Sequence, residues 1–576
     1  MRITDALKIV NGAPKDVRPF EVTLACGYTP LHLQTFLTAH LQQAMPDRYV
    51  IISTGLYGDL AGTIEGIREG VGNNLAIAVE WADLDPRLGH RSPVVWDNKT
   101  IEDIVSSVLH ALARLATSIR AVPTGTVVLS TPTLPFPPLF HTPSWMMSDP
   151  ETVLNKAVSE FAAEMMAQGI AIVNSTALAE VSAPAARYDL KSDLVFGLPY
   201  SLDHADKLAL CFSRLLSPPI PKKAIITDLD DTLWSGIVGE IGPEKICWDL
   251  HSHAGVHALY QSLLASLAEH GILVGVASKN DPKVVEQAFA RPDLLLRKKH
   301  IFPMEVHWNA KSGSVGRILR VWNVLADAVV FVDDSPTELA EVAAAHPGIE
   351  CILYPGRDYA AGQQMLSQLR DLFGKHRLSA EDSLRVESIR QTARFQAAVG
   401  EANPENFLKE ARATVRFDFS GSKEDLRALE LVNKTNQFNL NGARYTESDW
   451  TSELLRADSR LIVTSYEDRF GQLGKIAVIL GHLGDSALSI RTWVMSCRAF
   501  SRRIEYQCLK TCFDRYGVSE IDFDFLATPK NGPIQEFLTH LLGELPASNA
   551  KLTRERFEQV CPALYHSVGE FADVRS

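Results

Sequence analysis

The apolar run Ala224-Ile225-Ile226, leading into Asp228-Leu229-Asp230-Asp231-Thr232, constrains this chain more than any other stretch. A short buried strand ending in Asp-x-Asp-x-Thr delivers two carboxylates to its carboxyl end, where open α/β sheets bind ligands. Like charges so close repel unless a cation lies between them, and a set of hard oxygen ligands calls for a hard divalent ion, Mg²⁺. Asp228 is then free to attack phosphorus and Asp230 to move a proton. Taken alone, the run also reads as an acidic turn or helix cap, because Asp caps helices readily.

The features downstream decide between these readings. Val274-Gly275-Val276-Ala277-Ser278 reads as a second buried strand with a hydroxyl at its tip. Lys311 stands just ahead of an amphipathic stretch through Val315, Ile318 and Leu319, and Ala328-Val329-Val330-Phe331-Val332 leads straight into Asp333-Asp334. Together these supply a covalent acceptor, two groups that neutralise phosphoryl oxygens, and further carboxylate, the inventory of phosphoryl transfer.

This series resembles the haloacid dehalogenase (HAD) superfamily, whose four motifs match Asp228 with Asp230, Ser278, Lys311, and Asp333 with Asp334. The resemblance implies that Asp228 becomes an aspartyl phosphate and Asp230 acts as general acid and base. It also implies that Ser278 and Lys311 hold the phosphoryl group, with Asp228, Asp230, Asp333 and Asp334 around Mg²⁺. About fifty residues separate Asp228 from Ser278 and about thirty separate Ser278 from Lys311. One crossover helix uses most of each interval, which leaves little room for a cap domain.

At 576 residues, 46% hydrophobic and 22% charged, the chain has ordinary globular composition and length for roughly three to four domains. The net charge of −12 argues against nucleic-acid binding. No run approaches the roughly twenty apolar residues of a membrane span, so a cytoplasmic protein is expected. The eight cysteines form no CxxC pair, and neither disulfides nor structural zinc are expected.

Pro218-Pro219-Ile220-Pro221 reads as a linker. The expected domains are 1–217, 221–375 and 385–550, followed by a tail over 551–576. In the first, strand-like runs (Glu21 to Ala25, Tyr49 to Ser53, Leu75 to Val79, Thr126 to Leu129, Ile170 to Val173) alternate with helical ones, as a parallel α/β domain requires. The layout is similar to the SGNH-hydrolase-like module of some HAD proteins. Yet the first strand ends Ala25-Cys26-Gly27-Tyr28-Thr29, without Gly-Asp-Ser, so the domain is expected to be non-catalytic, with Cys26, Thr29 and His204 as the only esterase substitutes.

In the last domain three strands (Arg460 to Ser465, Lys475 to His482, Ala487 to Met495), a helix over Ser501 to Tyr516 and a strand at Ile521 to Phe525 resemble the GNAT acyltransferase fold. Met495-Ser496-Cys497-Arg498-Ala499-Phe500-Ser501-Arg502-Arg503 sets three arginines at a helix start, which attracts a phosphopantetheine or nucleotide phosphate and favours thiolate at Cys497, the candidate acyl-carrying nucleophile. Asn436, Gln437 and Asn439 either bind a polar substrate or organise a loop.

DLDDTLW, Ala277-Ser278-Lys279-Asn280, VDDSP, KTNQFNL, Asp468-Arg469-Phe470-Gly471 and MSCR together resemble the FkbH-like HAD proteins of subfamily IIIC. That resemblance implies a glyceryl thioester made on an acyl carrier protein from 1,3-bisphosphoglycerate for polyketide or related biosynthesis. It would use Asp228 on the phosphate ester and Cys497 on the acyl end, with Asn436, Gln437, Asn439, Arg469, Arg498 and Arg502 as acyl or pantetheine contacts. The chain departs from the family at Asp231, where relatives have Asn, and at Ser501 and Arg503, where they have Gly. The expected architecture is a HAD-like Rossmannoid parallel sheet, flanked by an SGNH-like α/β domain and a GNAT-like α+β domain.

Overall fold

The computed structural model describes residues 1–67, 74–122, 125–138, 141–375, 389, 404–420, 425–469, 471–496, 499–500 and 502–570. The chain divides into two compact units, Met1–Pro219 with Thr446–Glu453, and Ile220–Tyr445 with Leu454–Ser576.

The first unit is built on a five-stranded parallel sheet of β1 (Pro19–Ala25), β2 (Tyr49–Thr54), β3 (Asn74–Ala78), β4 (Val127–Ser130) and β5 (Ala171–Ile172), in the order β2-β1-β3-β4-β5. Central β3 is buried at all five positions, as a strand covered on both faces must be. Helices Leu31–Ala44 and Leu202–Leu216 pack together over one face and bury Phe36, Leu37, Leu208 and Phe212.

The second unit holds two sheets. The first is again parallel, with β6 (Ala224–Thr227), β7 (Leu273–Ser278), β8 (Ile301–Val306), β9 (Val329–Asp333) and β10 (Glu350–Leu353) in the order β10-β9-β6-β7-β8. Every residue of β6, β7 and β9 is buried, which is why these segments read as unbroken apolar runs. The chain leaves β6 towards β7 on one side and returns to β9 on the other. The ends of β6 and β9 therefore meet at the topological switch point, with Thr227 opposite Val332.

The second sheet is mixed and contains β11 (Thr414–Asp418), β12 (Phe438–Asn439), β13 (Ser459–Asp468), β14 (Gly471–Leu483), β15 (Ala487–Met495), β16 (Glu520–Phe523), β17 (Ala550–Thr553) and β18 (Ser567–Glu570). Its path is β17-β16-β15-β14-β13-β11-β18, with β15 parallel to β16 and β11 parallel to β18. Residues beyond 550, expected as a tail, instead supply most of β17, helix Arg554–Val560 and β18, because both edges of the sheet still need backbone partners.

β15 pairs with β16 only through Ala487–Ile490. Further along, β12 takes its place against Val494 and Met495. The Asn441 amide donates to the carbonyls of Arg491 and Asp524, and fully buried Asn531 donates to Asn439 O and Leu526 O, so side-chain amides close the space between the diverging strands.

Two of the family departures fall at special backbone positions. Asp231 has φ 50° and Arg503 has φ 57°, the left-handed region that Gly and Asn enter most easily. Arg503 precedes the helix Ile504–Tyr516, which starts three residues later than the pattern predicts.

Candidate active site

The carboxyl ends of β6, β7 and β9 bring together Asp228, Ser278 and Asp333, and the first residue of helix Lys311–Trp322 brings Lys311. Lys311 Nζ stands 3.1 Å from Asp228 Oδ2 and 2.6 Å from Asp333 Oδ2. All three residues are at most 5% exposed. Asp333 Oδ1 accepts from the Ser335 N–H, which turns its other oxygen to the ammonium. Asp334 sits at the exposed rim, within reach of Thr232 Oγ1.

Burial pushes the Asp228 carboxyl up to about 7, with Lys311 opposing and Asp333 reinforcing the shift. Asp333 and Asp334 are raised as well, chiefly by burial. Burial alone lowers the Lys311 ammonium, but the two flanking carboxylates raise it overall. Asp228, Asp333 and Asp334 each offer an oxygen within 4.8 Å of the others, and Asp228 Oδ1 is buried without a hydrogen-bond partner. Three converging carboxylates with one unsatisfied buried oxygen fit a hard divalent cation, which would relieve their mutual repulsion.

Asp230 lies just beyond this cluster. Its Oδ1 accepts from Trp234 Nε1 at 2.9 Å and from the Val238 N–H at 3.1 Å, while its Oδ2 accepts from Asn280 Nδ2 at 3.0 Å. Its carboxylate is therefore not among the three that converge within 4.8 Å, whereas the expected metal set has four aspartates. The hydrogen bonds pull the side chain away from Asp333 and towards Ser278. Asp231 turns outward and accepts from the Gly236 N–H at 2.7 Å, which closes the loop behind Asp230.

Helix Gly255–Glu269 holds this loop from beneath. Gln261 Nε2 donates to Leu233 O, His257 Nδ1 lies 2.9 Å from Thr232 O, and Tyr260 OH donates to Thr227 Oγ1. The sequence pattern missed Asn280, Trp234, Gln261 and His257 as site residues. Asn280, two places after Ser278 in the quoted Ser-Lys-Asn run, and Trp234, the last residue of DLDDTLW, left a signal there.

The residues proposed for acyl binding separate into two groups. Asn436 and Gln437 line a cleft of about 100 Å³ with Lys223, Trp322, Met495 and Ser496, and Asn436 Oδ1 accepts from Arg444. This cleft lies at the starting ends of β6, β7 and β9, the end opposite Asp228. By contrast, Asn439 and Arg502 are each 1% exposed and have no surface to offer a ligand. Asn439 receives the N–H groups of Asn441 and Gly442, and Arg502 lies against the buried Asp468 carboxylate and the Tyr466 ring. These two correct the expected contact set, because the fold itself uses their polar atoms. Arg469 is exposed, 3.5 Å from Glu410. Cys497 and Arg498 lie outside the described residues.

In the first unit, His204 is fully buried between Thr133 Oγ1 at 2.8 Å and Ser182 Oγ at 3.0 Å, and not beside Cys26 or Thr29. Burial and Arg187 bring its imidazole down to about 3. Burial, reinforced by Asp83, pushes the Cys26 thiol up to about 12, and Thr29 Oγ1 donates to Phe196 O. A thiol held protonated and an imidazole held by other partners do not form a nucleophile and base pair.

Among solved structures, the N-terminal part of BF1531 from Bacteroides fragilis, containing a phosphatase domain complexed with Mg, is similar to 66% of this chain and to 100% of its own length. The TM-score is 0.51 and the identity 18%. The fold is HAD-like. Strands β6 and β9 of the five-stranded sheet deliver the carboxylates described above, and the shared coverage exceeds what that sheet and its helices alone would fill. No protein-family profile matches the sequence, and no curated protein does. Among the described residues no helix is long and apolar enough to cross a membrane.

Proposed function

We propose that this chain is a Mg²⁺-dependent HAD-type phosphatase coupled to acyl transfer, forming glyceryl-S-acyl carrier protein from 1,3-bisphosphoglycerate in the cytoplasm. The observation that carries the phosphatase reading is the meeting of Asp228, Asp333, Asp334, Lys311 and Ser278 at the switch point of a parallel sheet. BF1531, whose phosphatase domain was seen with Mg, supports the choice of ion.

Asp228, Asp333 and Asp334 would hold the cation, which supplies charge neutralisation for a phosphate group when bound. Lys311 and Ser278 orient the phosphoryl oxygens. Asp228 forms a bond to phosphorus as the ester oxygen departs with a proton from Asp230. Water then attacks phosphorus, the Asp228 bond breaks, and Asp230 recovers its proton from that water. Burial raises the Asp228 carboxyl in the free site, and a bound cation would oppose that shift and favour the anion that attack requires.

The acyl-transfer half rests on the MSCR and KTNQFNL motifs and on a second sheet large enough to form its own core. Cys497 would displace phosphate from the acyl phosphate and pass the glyceryl group to the carrier's pantetheine thiol. Burial of Asn439 and Arg502 favours a second reading, a phosphatase of a small phosphate ester whose last sheet serves recognition. Intact-protein mass spectrometry with Mg²⁺ and 1,3-bisphosphoglycerate separates the two. A glyceryl-sized adduct lost in Cys497→Ala supports acyl transfer, while phosphate release without an adduct, unchanged in Cys497→Ala, supports the phosphatase alone. Absence of both signals refutes the coupled reading for this substrate.

A further inference from the structure

We propose that Asn280 is a positioning residue that fixes which oxygen of Asp230 handles the proton and couples that oxygen to Ser278, an inference that rests on the phosphatase reading. Asn280 is 2% exposed at the tip of β7. Its single Nδ2 reaches Asp230 Oδ2 at 3.0 Å and Ser278 Oγ at 3.1 Å, so its two amide protons serve two functional side chains at once. The opposite amide orientation would set Asn280 Oδ1 against the carboxylate, acceptor against acceptor, and is excluded by that repulsion.

The hydrogen-bond inventory identifies the working oxygen. Asp230 Oδ1 accepts from both Trp234 Nε1 and the Val238 N–H, which uses its two lone-pair directions. Among the described residues Oδ2 accepts only from Asn280, which leaves its other direction open. The proton given to the leaving alcohol and later taken from water therefore travels on Oδ2, and the Asn280 amide aims that oxygen. Its second N–H also determines the role of Ser278. Because Ser278 Oγ accepts from Asn280, the hydroxyl proton is free to donate forward, towards Asp228 or a phosphoryl oxygen. Asp230, Asn280 and Ser278 thus form one connected chain beside the nucleophile Asp228.

A residue that acts by aiming a general acid has a signature that a merely structural residue lacks. Its loss is felt only by leaving groups that need a proton. The full chain with Mg²⁺ is assayed on glycerol 2-phosphate, whose alkoxide must be protonated, and on 4-nitrophenyl phosphate, whose phenolate departs unaided. In both cases kcat/KM reports formation of the phosphoenzyme. Asn280→Ala is expected to lower kcat/KM about 30-fold or more on the alkyl ester and about threefold or less on the aryl ester, the latter through Ser278 alone. Asn280→Asp keeps the shape, sets a second carboxyl against Oδ2, and should reproduce the selective loss, with the melting temperature of the same sample showing that the chain is folded at the assay temperature. Equal losses on both substrates, or none on either, overturn the role of Asn280 while leaving the phosphatase reading intact. A wild type inert towards both esters overturns the phosphatase reading and this inference with it.

Discussion

Replacing Lys311 with Met keeps the length of an unbranched side chain but removes the ammonium between Asp228 and Asp333. The ammonium is 2.6 Å from one carboxylate and 3.1 Å from the other, and all three side chains are at most 7% exposed. Breaking a buried ionic contact from one side leaves uncompensated charge and costs about 3–5 kcal/mol. At roughly 2–4 °C per kcal/mol for a domain of 150–250 residues, Lys311→Met should melt about 6–20 °C below wild type in EDTA at pH 7.5. The deficit should shrink as pH falls, because both carboxylates are already raised and escape the repulsion by taking up protons. It should shrink also with Mg²⁺, which at a hundred times its dissociation constant adds about 2.7 kcal/mol, and the variant, with one cation fewer in the site, should gain more from Mg²⁺ than wild type. Differential scanning calorimetry of the whole chain reads all three effects. A melting deficit under about 2–4 °C in EDTA, or an Mg²⁺ shift no larger in the variant, would refute the picture of two carboxylates held by one ammonium.

Asp228→Asn should abolish phosphate release, by at least about 10³-fold, while leaving the melting temperature in EDTA at or above wild type, as steady-state phosphate assays and calorimetry will show. In the first unit, His204 is neutral when folded and charges only near pH 3, whereas unfolded it charges near 6.5. The folded chain therefore binds fewer protons across that window, so this contribution is complete above pH 6.5 and is lost as pH falls towards 3. Urea unfolding from pH 7 to 4 should show a steeper acid loss in wild type than in His204→Gln, and parallel slopes would contradict this. Asn531→Ala should cost about 1–3 kcal/mol in urea unfolding of the second unit, since the buried Asn439 carbonyl and the partly buried Leu526 carbonyl lose their donor.

Much of the phosphoryl-transfer site was legible in the sequence because its groups stand directly at strand ends. Ala224–Thr227 and Val329–Asp333 are apolar at each position but the last, and such runs, buried on both faces, mark parallel strands whose next residues stand at the carboxyl end of the sheet. Lys311 was legible for a similar reason, as the first residue of an amphipathic helix. The carboxyl-terminal strands were also legible from their alternation, Ala487–Met495 to the residue. What pattern could not reach was the use made of polar side chains. Asn439 and Asn436 are three residues apart in one amide-rich run, yet one is sealed under Gly442 and Asn531 while the other lines a cleft.

The sequence by itself determined the strand ends, the order in which they occur, and the chemical types of group carried there. Hydrophobic periodicity and residue identity are local properties, so they need no knowledge of neighbours. Only the tertiary structure decided that Asp230 turns from the carboxylate cluster onto Trp234, Val238 and Asn280, that Arg502 lies buried against Asp468, and that β12 fills the space beside β15. Each of these depends on which donor meets which acceptor across a long stretch of chain. Burial makes every such pairing obligatory, and sequence spacing does not encode the partner.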